Sequence, residues 1–103
     1  MQVAQGDLAA ALKSYEAKRD IISRLANSDP GNAGWQRDLS VSFAKLADAY
    51  RKSDDPAKAC DALTAGRVIV SKLVEEHPDW AQWKQDLAWF DHQIAELGCA
   101  VKK

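Results

Sequence analysis

Residues 43–66 read Phe43-Ala44-Lys45-Leu46-Ala47-Asp48-Ala49-Tyr50-Arg51-Lys52-Ser53-Asp54-Asp55-Pro56-Ala57-Lys58-Ala59-Cys60-Asp61-Ala62-Leu63-Thr64-Ala65-Gly66. Phe43, Leu46, Ala47 and Tyr50 recur at the 3–4 spacing of one helix face. Ser53-Asp54-Asp55-Pro56 interrupts it. Asp55 suits an N-cap, because its carboxylate accepts from the unpaired N–H groups of a first helical turn. Pro56 suits the first helical position, where its missing N–H leaves no bond unmade. Beyond it Ala59, Leu63, Gly66, Val70, Leu73 and His77 are spaced 4, 3, 4, 3, 4, a helix face without a gap. The stretch predicts two helices, at 33–52 and 56–76, joined by a loop short enough to fold one back on the other.

The flanks read the same way. A first helix is predicted at 8–27, with Asp7 as its cap and Leu8, Ala11, Leu12, Tyr15, Ile22 and Leu25 on its apolar face. Ser28-Asp29-Pro30-Gly31 stops it, and Asn32 caps the second helix, whose stripe begins at Trp35 and Leu39. Pro78 ends the third helix. A fourth is predicted at 80–97, capped by Asp79, striped by Trp83, Leu87, Phe90, Ile94 and Leu97, and closed by Gly98. Strand alternation is absent, so the expected fold class is all-α, with four antiparallel helices in one domain over 1–103.

Composition narrows the function classes. The chain has 103 residues, 47% of them hydrophobic and 28% charged, which is the balance of a small globular domain. The net charge of −1, with both signs interspersed, argues against nucleic acid, which would call for a basic stripe. Lys102-Lys103 reads as a solvated tail. No apolar run reaches the roughly 20 residues of a membrane span. Met1–Asp7 has neither the basic flank nor the apolar core of a signal peptide, so a cytoplasmic location is the default.

A fixed offset runs through the chain. Trp35-Gln36-Arg37-Asp38-Leu39 returns 48 residues later as Trp83-Lys84-Gln85-Asp86-Leu87. Ala11, Arg19, Ile21, Leu25, Pro30 and Ala33 return as Ala59, Arg67, Ile69, Leu73, Pro78 and Ala81. Such self-similarity marks a repeat architecture, in which units stack and present a surface to a partner.

The pattern Phe43-x-x-Leu46-Ala47-x-x-Tyr50 followed by Ala59-x-x-x-Leu63-x-x-Gly66 resembles the tetratricopeptide repeat. Small residues stand where two helices cross closely, and large apolar residues fill the space around the crossing. Pro78 falls about seven residues later than in the usual 34-residue unit, so the resemblance is to a long-helix variant. Asp29-Pro30-Gly31-Asn32-Ala33-Gly34-Trp35-Gln36-Arg37-Asp38-Leu39 is close in wording to bacterial proteins of that kind. The chain opens on a second-type helix, completes one pair and ends on a first-type helix. In that last helix Asp91 replaces Phe43 and Gly98 replaces Tyr50, which reads as a capping version. The first helix lacks its own first-type partner. A preceding repeat, a neighbouring subunit or nothing covers its open face, and a homodimer through the first helix is one way to cover it.

Side chains capable of chemistry are present without a catalytic pattern. His77 and His92 are 15 apart and lack the i, i+4 spacing or Cys companion of a metal site. His77 is expected to close a helix at its negative end, and His92 to lie on the surface. A phosphotransfer role for His92 would want a lysine and a small residue just after it, whereas Gln93-Ile94-Ala95-Glu96 follow. The five glycines are isolated, so no phosphate loop is formed. Cys60 and Cys99 lie 18 before and 21 after Pro78, so a fold-back there brings them within reach of a disulfide. The expectation is nevertheless that both are reduced, in keeping with the cytoplasmic default. No enzyme activity, cofactor or metal is expected.

What the resemblance implies is a binding module for a protein or peptide, with no role for nucleic acid or membrane. The alternative is a structural, self-associating spacer or a piece of a longer array. In the family the first-type helices line the concave face. On this chain that maps to Val41, Ala44, Asp48, Arg51 and Lys52 of the second helix, and Trp89, His92 and Glu96 of the fourth. Trp35 and Trp83 fall on core stripes, and Trp80 suits a staple at the start of the last helix. Trp89 is off its stripe, which leaves it either packed on another layer or exposed as an anchor.

Overall fold

The computed structural model describes residues 5–99. They form four helices, α1 (Gln5–Ser28), α2 (Ala33–Lys52), α3 (Pro56–Glu76) and α4 (Ala81–Leu97), with no strand among them. The fold is all-α, as expected. Lys102-Lys103 lies outside the described residues.

Local chemistry sets most boundaries. Asn32 accepts from the backbone N–H of Trp35 at 3.1 Å and starts α2. Asp55 accepts from Lys58 N–H at 3.2 Å, with Pro56 following, and starts α3. His77 is the C-cap of α3, its N–H bonded to the Leu73 carbonyl at 2.8 Å. Gly98 ends α4 in the left-handed region at φ 66. Its N–H reaches Ala95 and that of Cys99 reaches Ile94, the paired bonds of a Schellman turn.

Two caps differ from expectation. Helix α1 already includes Gln5, Gly6 and Asp7, so Asp7 does not begin it. A glycine before an aspartate is a weak stop when the flanking residues favour helix. At α4 the N-cap is Trp80, with no side-chain cap bond, and Asp79 does not take the role. Instead His77 stacks on Trp80 with ring centroids 4.5 Å apart, and Trp80 meets the Trp83 ring edge-on at 4.0 Å. Aromatic contact fixes this turn, and Trp80 stays 48% exposed.

Neighbouring helices in sequence are neighbours in space. Gln36 Nε2 donates to the Ala26 carbonyl and Tyr50 Oη donates to Glu16, so paired residues run in opposite order along α1 and α2. Leu46, Ala47, Tyr50, Ala59, Leu63 and Val70 form the core between α2 and α3, joined by Phe90 and Ile94 of α4. Gly66 sits where three helices meet. A Cβ there would lie 2.5 Å from the Phe90 ring and 3.3 Å from Phe43 Cβ.

Helix α1 is the thinly covered member. Ala26 is its fully buried hydrophobic residue among those described, while Leu25, expected on the inner face, is 37% exposed and Ile21 56%. The reason is that α1 has α2 on one side and no described helix on the other, so its apolar face is wider than its cover.

The cysteines overturn the expectation that they are reduced. Cys60 and Cys99 form a disulfide with Cα atoms 5.7 Å apart. The fold-back at Pro78 brings the start of α3 to the end of α4, and the Gly98 turn places Cys99 over Cys60. Cys60 is thus a covalent tie between the start of α3 and the end of α4.

Candidate functional site

The expected surface residues are presented by the outward sides of α2 and α4. On α2, Leu39, Leu46, Ala47 and Tyr50 are turned inward and buried. Asp48, Arg51 and Lys52 are exposed on the other side, while Val41 and Ala44 are half-buried at its border and Ala44 packs against the core. On α4, Trp83, Phe90 and Ile94 are buried, which leaves Trp89, His92 and Glu96 outward.

Three of these residues come together. Val41 and Ala44 of α2 and Trp89 of α4 line one shallow groove with Ser40, Asp86 and Phe90. Its volume is about 140 Å³, below the roughly 300–1,000 Å³ of small-molecule pockets. It has room for a side chain. The Trp89 ring meets Phe90 edge-on at 5.1 Å and is 42% exposed. Phe90 is buried, so it holds one edge of Trp89 while the rest faces solvent. That combines the two alternatives left open for this tryptophan.

Polar bridges span the two helices on either side of the groove. Arg37 Nε donates to Asp86 at 3.1 Å. Arg51 donates to the Gln93 side-chain oxygen at 2.6 Å. These pairs run in the same order along α2 and α4, with Ala44 and Trp89 between them. Ser40, 1% exposed, donates its hydroxyl to the Arg37 carbonyl at 2.6 Å and needs no further partner.

The remaining expected residues stand outside the groove and are paired locally. Lys52 bridges Asp48 at 3.0 Å along α2. His92 lies against Glu96 one turn away on α4. The Arg51 and Lys52 cations are therefore engaged within the protein. The exposed tryptophan and the small apolar residues are the distinctive part of this face.

Arg37, Ser40, Asp86, Phe90 and Gln93 complete the arrangement and were not foreseen in it. The helical phase held a signal for one of them, since Arg37 lies two turns before Ala44 on the same side. The cross-helix partners depend on how α2 and α4 sit over α3. Among the described residues no group of three or more His, Cys, Asp or Glu side chains is placed to hold a metal ion. No described helix is long and apolar enough to cross a membrane. No protein-family model, curated protein or solved structure matches the chain.

Proposed function

We propose that this chain is a non-catalytic helical-repeat module of the tetratricopeptide type, which holds a protein or peptide segment along α2 and α4. The observation that carries this reading is Trp89, held by Phe90 and exposed beside Val41 and Ala44. Tryptophan concentrates binding energy where a rim of polar groups excludes water around it. Here the Arg37–Asp86 and Arg51–Gln93 bridges are that rim. The groove fits one apolar side chain of an incoming segment, and the rim offers hydrogen bonds to the backbone around it.

The test is selection from a random peptide library displayed on phage, followed by affinity measurement on the enriched sequences. The reading expects enriched peptides to share an apolar anchor. It also expects Trp89→Ala to weaken them at least tenfold, while Val68→Ala, on α3, leaves them unchanged. Peptides that bind Trp89→Ala as tightly as the parent would overturn it.

The disulfide also bears on location. We infer an oxidising compartment in place of the cytoplasmic default, because glutathione and thioredoxin keep cytosolic thiols reduced. Mass spectrometry of protein alkylated at the moment of cell lysis tests this. Both cysteines carrying label would reject the inference.

A further inference from the structure

The 48-residue offset makes α1 the counterpart of α3, and α2 the counterpart of α4. Helix α3 rests on α2 through Ala59, Leu63, Gly66 and Val70, all buried, against Phe43, Leu46, Ala47 and Tyr50. Moving those four α2 positions forward by the offset gives Asp91, Ile94, Ala95 and Gly98. All four line a groove of about 920 Å³ along α3 and α4, on which Val68 is 61% exposed. The groove is therefore the counterpart of the seat that α3 fills. No described helix of this chain fills it.

Helix α1 has the matching face. Ala11, Tyr15, Lys18 and Ile22 stand where α3 carries Ala59, Leu63, Gly66 and Val70. Ala11, Tyr15 and Ile22 are half-buried and Lys18 is exposed, in contrast to their buried counterparts. The differences between the two faces compensate one another. Within the chain Gly66 faces Phe43, a small residue against a large one. At the equivalent pair Lys18 would face Asp91, a cation against an anion. Leu63 and Tyr50 share the core, and their counterparts are Tyr15 and Gly98, larger on one side and smaller on the other. Asp91 is held by Arg67 at the edge of the groove, with half of its side chain open to solvent.

We propose that the chain stacks head to tail, with α1 of a second copy lying in the α3–α4 groove of the first as α3 lies on α2. The two surfaces are different, so the contact is heterologous and leaves a free face at each end of any stack. It excludes a two-fold dimer of α1 against α1. The groove residues it rests on, Asp91, Ile94, Ala95 and Gly98, are not among those lining the α2–α4 groove, and the argument does not depend on the peptide-binding reading.

Light scattering over a dilution series from micromolar to millimolar protein tests it. The full chain is expected to rise from monomer mass to at least twice that mass without levelling at a dimer. Lys18→Glu spoils the α1 face and Ala95→Arg spoils the groove. Both positions are exposed, and circular dichroism checks that the helices persist. Each variant alone is expected to stay monomeric, and an equimolar mixture to stop at twice the monomer mass, because one good face of each survives. A full chain that stays monomeric throughout overturns the proposal. So does an Ala95→Arg variant that still dimerises, since that contact would be α1 on α1. Lys18→Glu and Ala95→Arg lie outside the α2–α4 groove and are expected to keep peptide affinity, so loss of stacking and loss of peptide binding are read separately.

Discussion

Gly66 lies against the ring of Phe90 so closely that a single methyl group at its Cα would come within 2.5 Å of two ring carbons. Phe90 is 3% exposed, its ring held among packed neighbours. In an open helix Gly→Ala gains roughly 1 kcal/mol of propensity. Here overpacking costs about 1–3 kcal/mol. Gly66→Ala is therefore expected to lower the unfolding free energy in urea. Phe90→Leu in the same chain should turn the alanine from a loss toward a gain, which a double-mutant cycle reads directly.

Leu46 is fully buried at the centre of the core. Leu46→Ala should cost about 2–5 kcal/mol, the range for large-to-small core changes. A change below about 0.5 kcal/mol, the scale of surface sites, would contradict the assigned face.

The disulfide joins residues separated by 39 positions. A loop of that size removes about 3–4 kcal/mol of freedom from the unfolded chain. Denaturation with and without reductant should differ by that order. Replacing Cys60 and Cys99 together by serine should reproduce the reduced curve.

Burial raises the Tyr50 phenol above its ordinary value of about 10, and the hydrogen bond to the neighbouring Glu16 carboxylate adds to the rise. The folded value lies above the unfolded one, so the fold favours the neutral phenol. That contribution is complete below pH 10 and is lost as pH rises through the folded value. Stability should fall on the alkaline side of pH 10, and Tyr50→Phe should remove this part of the fall. At neutral pH the same variant should lose about 1 kcal/mol, for one hydrogen bond.

Helix boundaries were legible where a cap and a stop stood together. Asn32, Asp55-Pro56 and Gly98 fixed three of them to the residue. Asp7 lies inside α1, where the backbone does not leave the helix, and Asp79 lies one residue before the N-cap of α4, Trp80. The inner faces of α2 and α3 followed from spacing alone, since both have neighbours on two sides. On α1 the spacing marked Leu25 as core, and the missing neighbour left it half outside. Val41, Ala44 and Trp89, expected on one face, line one groove. The Arg37–Asp86 bridge was not legible, because it depends on the distance at which α2 and α4 ride over α3. The cysteine pair was legible as geometry, and the assumption about compartment pointed the other way.

The tie from Cys60 to Cys99 has a mechanical consequence. It turns the second half of the chain into a closed ring that holds α4 and all but the first turn of α3. Tension applied along the polypeptide would pass through α1 and α2 to Cys60 and cross the sulfur bridge directly to Cys99. The 39-residue span that the ring encloses would contribute roughly 130 Å of extension if it were open. Closed, it carries no load. Under force the molecule has a yielding half and a shielded half, and reduction converts the second into the first.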